Sequence, residues 1–132
     1  MSAFSDYAES ALLNHLLRNT ALTSPVTVYL ALFTTDPLDD GSGTEASGGS
    51  YAREAITFGA PTTVSGGKQV ANSVQIDFTT ATAAWGNITH GGIYDALTVG
   101  NLLVHGAAAA VRDVQIGDGY RIAVGDLKVR LS

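Results

Sequence analysis

The sequence predicts a mainly β protein: a single β-sandwich, jelly-roll-like domain behind a short N-terminal α-helix. Three observations carry this. About eight short segments rich in β-branched and aromatic residues are separated by turns drawn from 15 glycines, the spacing of a sandwich or jelly roll. Only one stretch, near the start, has helical periodicity. The chain is 45% hydrophobic and 14% charged, so it has apolar surface to bury and little self-repulsion to keep it unfolded.

The helix is expected from about Asp6 to Arg18. Asp6 and Glu9 have the spacing of a capping box, and both acids favour the positive end of the helix dipole. Ala8, Leu12 and Leu16 fall on one stripe, and Leu13 and Leu17 widen it until little of the helix is polar. Such a helix asks for burial on more than one side, with the sandwich under one face and a neighbouring subunit on the other.

Pro25 cannot continue the helix. Val26 to Phe33 then reads as a central strand covered on both faces, by the helix on one of them. Residues 34–50 hold Asp36-Pro37, Asp39-Asp40-Gly41 and Gly48-Gly49, and predict a long surface loop suited to reaching a neighbour. Strands are expected at Tyr51–Phe58, Val74–Phe78, Ile88–Asp95, Asn101–His105, Val111–Ile116, Tyr120–Val124 and Leu127–Leu131. Gly59–Gly67 reads as a turn-rich connection. Gly91-Gly92 predicts a bulge or a close backbone approach, and Gly117-Asp118-Gly119 a tight hairpin. The whole chain, 1–132, is expected as one domain: helix in 1–20, sandwich in 26–132.

Charge and composition exclude several functions. Net charge is −5 with only seven Lys and Arg, and these are scattered, whereas nucleic-acid binding needs clustered cations to replace phosphate counterions. Neither a signal peptide nor a membrane-spanning run is expected. Without cysteine there is neither a disulfide framework nor a thiolate metal site. His15, His90 and His105 lack the spacing of a metal motif.

Nothing looks catalytic. No nucleophile elbow marks a Ser-His-Asp site. Gly66-Gly67-Lys68-Gln69 lacks the hydroxyl residue and following helix of a phosphate loop. Asp36, Asp39 and Asp40 share a loop as calcium ligands do, but without the alternating ligands of an EF-hand, so they read as solvated turn residues. Trp85 and Tyr94 are the aromatic pair that a glycan platform would use; the competing reading places Trp85 in the core. No cofactor is expected.

Several segments, in order, resemble one known family. They are the opening helix, Tyr29-Leu30-Ala31-Leu32-Phe33-Thr34-Thr35-Asp36-Pro37 and Gly48-Gly49-Ser50-Tyr51-Ala52-Arg53. Ala81 to His90, Gly92-Ile93-Tyr94-Asp95-Ala96, Gly100-Asn101-Leu102-Leu103 and Gly125-Asp126-Leu127 follow. The chain is similar to small virion structural proteins of tailed bacteriophages, usually described as tail fibre or structural proteins. The resemblance covers nearly the whole chain and implies a virion component made in the host cytoplasm, with no catalytic residues to carry over. A capsid cement or decoration role is the first expectation, bridging capsomers as a homotrimer against the major capsid protein. A tail or tail-fibre component touching the host surface or its glycans is the second. The clasping residues would be Leu12, Leu13, Leu16 and Leu17 of the helix with Asp36, Pro37, Asp39 and Asp40 of the loop. No membrane partner is expected.

Overall fold

The computed structural model describes residues 3–131; residues 1, 2 and 132, the ends of the expected domain, lie outside the described residues. Five antiparallel strands form the main sheet. In spatial order they are β1 (Ala3–Phe4), β8 (Leu102–Val114), β7 (Gly86–Tyr94), β2 (Val28–Phe33) and β3 (Glu54–Ile56). Facing it are a three-stranded sheet of β10 (Lys128–Leu131), β5 (Gly67–Ala71) and β4 (Thr62–Val64), and the pair β6 (Ile76–Asp77) and β9 (Arg121–Ile122). Among the described residues every pairing is antiparallel, and the fold is the mainly β, sandwich-like arrangement with one short helix that the sequence predicts.

The core fills the space between the layers. Leu30 and Leu32 of β2, Ile88 and Ile93 of β7, and Val104 and Val114 of β8 meet Ile76, Phe78, Tyr120, Leu127 and Val129 from the facing strands. Each fully buried aliphatic side chain contributes roughly 1.5–3 kcal/mol over its exposed state. Because strand side chains alternate, β2 turns Ala31 and Phe33 to the opposite face, where they join Tyr94 and Leu102 in a second cluster. The helix does not cover that face. Arg53 lies 3.8 Å above the Tyr94 ring, and Gly41 of the long loop approaches Leu102 and the Tyr94 hydroxyl.

Helix α1 spans Asp6–Leu17, and its N-cap is Ser5 rather than Asp6. The Ser5 hydroxyl accepts from the Ala8 N–H at 3.1 Å and donates to the Leu102 carbonyl, tying the helix start to β8. Asp6 and Glu9 still sit in the first turn, where the dipole favours them.

The two strands expected at 101–105 and 111–116 are one, β8, which runs through four alanines. The Gly117-Asp118-Gly119 turn does not fold β9 back on β8; β9 pairs with β6. Within the expected connection 59–67, Thr62–Val64 forms a hairpin with β5 around Ser65-Gly66. At Gly92 a Cβ would stand 2.9 Å from Leu102 Cδ1 and 3.1 Å from Phe33 Cε1, so this glycine is a close approach between strands.

Asn72 joins three segments from a fully buried position. Its Nδ2 donates to the carbonyls of Val74 (2.9 Å) and Ala123 (3.0 Å), and its Oδ1 accepts from the Leu127 N–H at 2.9 Å. Asn72→Ala leaves a buried donor and two carbonyls without partners and is expected to cost about 3 kcal/mol. Urea unfolding measures it; a loss under about 1 kcal/mol would mean water replaces the amide.

Glu54, on edge strand β3, gives a pH signature. Burial first, and the charge of Asp77 second, hold its carboxyl above the usual value of 4.5. The folded state therefore keeps this proton longer than the unfolded chain, and stability is lost as pH rises through the raised value. Glu54→Gln is expected to raise the melting temperature at pH 7 and to leave it nearly unchanged at pH 4. An equal rise at both pH values would refute the assignment.

Candidate functional site

Residues 34–50 form a flap folded onto the sheet. The Ala46 N–H donates to the Leu32 carbonyl and the Thr34 N–H to the Thr44 carbonyl, each at 2.9 Å, and Phe33 bridges to Glu45. Two aspartates build its turns: Asp36 Oδ1 accepts from the Leu38 N–H and Asp40 Oδ1 from the Ser42 N–H, both at 2.9 Å. The hydrogen bonds from Ser42, side chain first and backbone second, hold the Asp40 carboxyl below its ordinary value. Gly43 is required, because a Cβ there would stand 2.4 Å from the Asp36 carbonyl oxygen.

Two histidines meet the underside of the flap. His105, buried on β8, has Nε2 2.7 Å from Asp39 Oδ1 and Nδ1 3.8 Å from Asp36 Oδ1. His90 of β7 places Nε2 3.9 Å from Asp36 Oδ2. Asp39 also reaches the helix, its carbonyl accepting from the Asp6 N–H at 3.0 Å. Sequence distance hid this: 66 residues separate Asp39 from His105.

The three loop aspartates do not converge on one point. Asp36 faces the histidines, Asp40 caps its own turn, and Asp39 shares a 4.8 Å neighbourhood with Asp6 and Glu9. That trio is exposed. Pro37, by contrast, is buried, so of the four loop residues expected to clasp a neighbour only the three aspartates present surface.

The helix leucines divide. Leu12 is half-buried and lines an apolar cavity of about 260 Å³ beneath the helix, with Tyr7, Val28, Ile93 and Leu103. Leu13, Leu16 and Leu17 are 58%, 72% and 77% exposed and form an uncovered apolar edge. Three large apolar side chains thus lie close together on one exposed turn.

Trp85 and Tyr94 do not form a shared platform. They are 5% and 8% exposed and belong to different clusters, Trp85 in the main core and Tyr94 on the opposite face of the sheet. Trp85 stands edge-on to Tyr51 at 5.3 Å, and its indole N–H donates to the Gly49 carbonyl at 2.9 Å.

Sequence reasoning missed the polar knot beside the flap. Arg53 donates from Nε and Nη2 to the Glu45 carboxylate (2.9 and 2.8 Å) and from Nη1 to the carbonyls of Ala96 and Val99. Tyr51 donates to Glu45 at 2.7 Å and accepts from the Leu32 N–H at 2.9 Å. Burial first, and the Glu45 carboxylate beside it, push the Tyr51 phenol up, so it stays a neutral donor. The available signal was a Glu and an Arg flanking the Gly48-Gly49 turn. As a whole the site offers hydrogen-bonded clamps and apolar contact surface.

Across residues 3–130, the chain matches the model of a family described as podophage GP4 fiber I protein gp80. No curated protein matches it.

Proposed function

We propose, from the premise that this chain belongs to the podophage GP4 fiber I protein gp80 family, that it is a structural, non-enzymatic subunit of the tail fibre. The carrying observation is the extent of the match: among the described residues it takes in the helix and every strand but for Leu131 at the end of β10, so the family's description applies to the folded unit and not to a fragment of it. That description favours the fibre over the capsid-cement role, which the resemblance alone had put first.

The exposed edge of Leu13, Leu16 and Leu17 serves as the contact through which copies, or a neighbouring fibre protein, assemble. In a chain of 14% charge, few like charges oppose such packing. Fibre assembly multiplies a modest contact by the number of copies engaged.

Quantitative mass spectrometry of the purified virion, scaled to the major capsid protein, together with gold-labelled antibody, tests the location. A few copies per particle with label at the tail is the expected result. A ratio near one per capsid subunit with label over the shell would restore the cement role. Absence from the particle would overturn both.

A further inference from the structure

The helix that carries the leucine edge also roofs an open pocket. Ala8 and Ala11 lie over the cavity of about 260 Å³ between α1, residues 22–25 and the strands, and their one-carbon side chains cannot fill it. The space is reached from outside: Leu12, Leu22, Val28, Phe58, Val70 and Leu103 along its walls are each only half-buried. Asp95 is the one charged residue of the lining. Its carboxylate accepts from the Asn101 N–H (2.7 Å) and side-chain amide (3.0 Å), and meets no cation among the described residues. Walls of this kind take an uncharged aliphatic group.

The same chain carries a group that fits. Leu16 and Leu17 are exposed on the last turn of α1, with Leu13 beside them. Val26, Val99 and Ile116 are comparably exposed, but they stand on bends and turns, and ordering them in a contact costs more than seating side chains already fixed on a helix. At 3.6 residues per turn, Leu13 and Leu17 point away from the side on which Ala8, Ala11 and Leu12 meet the cavity, so a copy cannot seat its own edge. Charge agrees with the fit. The Arg18 guanidinium, next to Leu17, bonds only to the Asn14 side chain at 3.0 Å and has no carboxylate partner among the described residues. Entry of Leu17 into the pocket of a second copy would bring Arg18 to the rim that holds Asp95.

We propose that the pocket of one copy receives Leu16 and Leu17 of the next, head to tail, with Arg18 facing Asp95. Each copy then offers one edge and one pocket, a heterologous contact that closes into a ring or continues as a filament. Three leucines against one pocket cover less than the roughly 800 Å² per partner of a stable pair. A single contact is therefore weak, and the assembly depends on each copy making two. The inference deepens the reading of the leucine edge as an assembly contact and rests on it, whereas the place of the chain in the virion is decided separately by mass spectrometry and antibody labelling.

Sedimentation velocity of the full chain is the test, run up to about 1 mM so that a contact with a Kd near that value is seen. Species of more than two copies are expected to grow with concentration. Leu16→Glu/Leu17→Glu, at exposed positions, keeps the pocket and loses the edge. Ala11→Phe keeps the edge and fills the pocket; Leu22→Glu, which places a charge in the wall, replaces it if Ala11→Phe does not fold. Each variant alone should associate at least about tenfold more weakly, with circular dichroism confirming its fold. Mixed, the edge variant and a pocket variant should form a one-to-one pair and nothing larger, because only one edge and one pocket remain between them. A wild-type chain that stays monomeric or stops at two copies, association unchanged by the folded variants, or a mixture that does not pair would overturn the proposal. A monomeric wild type would leave the fibre location, which is read from the virion, standing.

Discussion

Arg53→Ala is expected to lower the free energy of unfolding by about 3 kcal/mol, the scale seen when one partner of a buried ion pair is removed. The guanidinium is buried and uses every edge: a two-point fork on Glu45, two carbonyls of the 95–101 loop, and the face of Tyr94. Burial opposes its charge, but the Glu45 carboxylate more than offsets this, and the group is held above its ordinary value. Truncation leaves Glu45 with only the Tyr51 hydroxyl and strips Ala96 and Val99 of a donor. Val99 has a backbone φ of +56°, unfavourable for a β-branched residue, so the loop also loses a contact holding it in a strained form. Arg53→Lys keeps the charge without the planar fork and should recover less than half of the loss. Urea unfolding of the three proteins decides it: a deficit below about 1 kcal/mol for Arg53→Ala would show the knot to be solvated in solution.

What the sequence made legible followed periodicity. The helix and strand β10 were visible because their apolar residues recur at the period of the element, and β2 because β-branched and aromatic residues fill both of its faces. The extent of β8 was not. Alanine has low strand propensity, and β8 runs on through the alanines only because Ala107 on one side of the bulge and Arg112 on the other pair with β7. The capping box hid the true N-cap because Ser5 precedes two acids that fit the rule equally well. The flap read as an extended arm because Gly, Ser and Asp mark loops whether they project or fold back. Its return depends on Ala46, Glu45 and His105, whose partners lie far along the chain. Half of the candidate contact surface was legible: the leucines are too apolar for a helix with one covered face. The buried knot and Asn72 left no such trace, because a polar side chain gives no sign in sequence of which distant backbone it will satisfy.

Trp85→Ala is expected to cost about 4 kcal/mol, since large-to-small changes of buried aromatics lose both transfer energy and packing around the cavity left behind. Trp85 sits at the centre of an aromatic chain: edge-on to Tyr51 at 5.3 Å and to Phe78 at 6.3 Å, with Phe78 in turn edge-on to Tyr120 at 5.8 Å. It also holds the flap, because Gly49 cannot accept a Cβ without meeting the Ala83 carbonyl oxygen at 2.5 Å and the indole nitrogen at 3.0 Å. Trp85→Phe keeps much of the ring and loses the bond to Gly49, so a smaller loss of about 2 kcal/mol is expected. Circular dichroism should follow the transitions, because the substitution removes the only tryptophan. The same variant separates two functions for this residue. A ring on an exposed glycan platform could be truncated with little change in stability and complete loss of sugar binding. A core ring does the reverse, and its loss reaches assembly only through the fold. If Trp85→Ala unfolds at nearly the wild-type urea concentration, the ring belongs to a surface after all; a large drop makes it a core ring and leaves the exposed helix edge as the candidate contact surface.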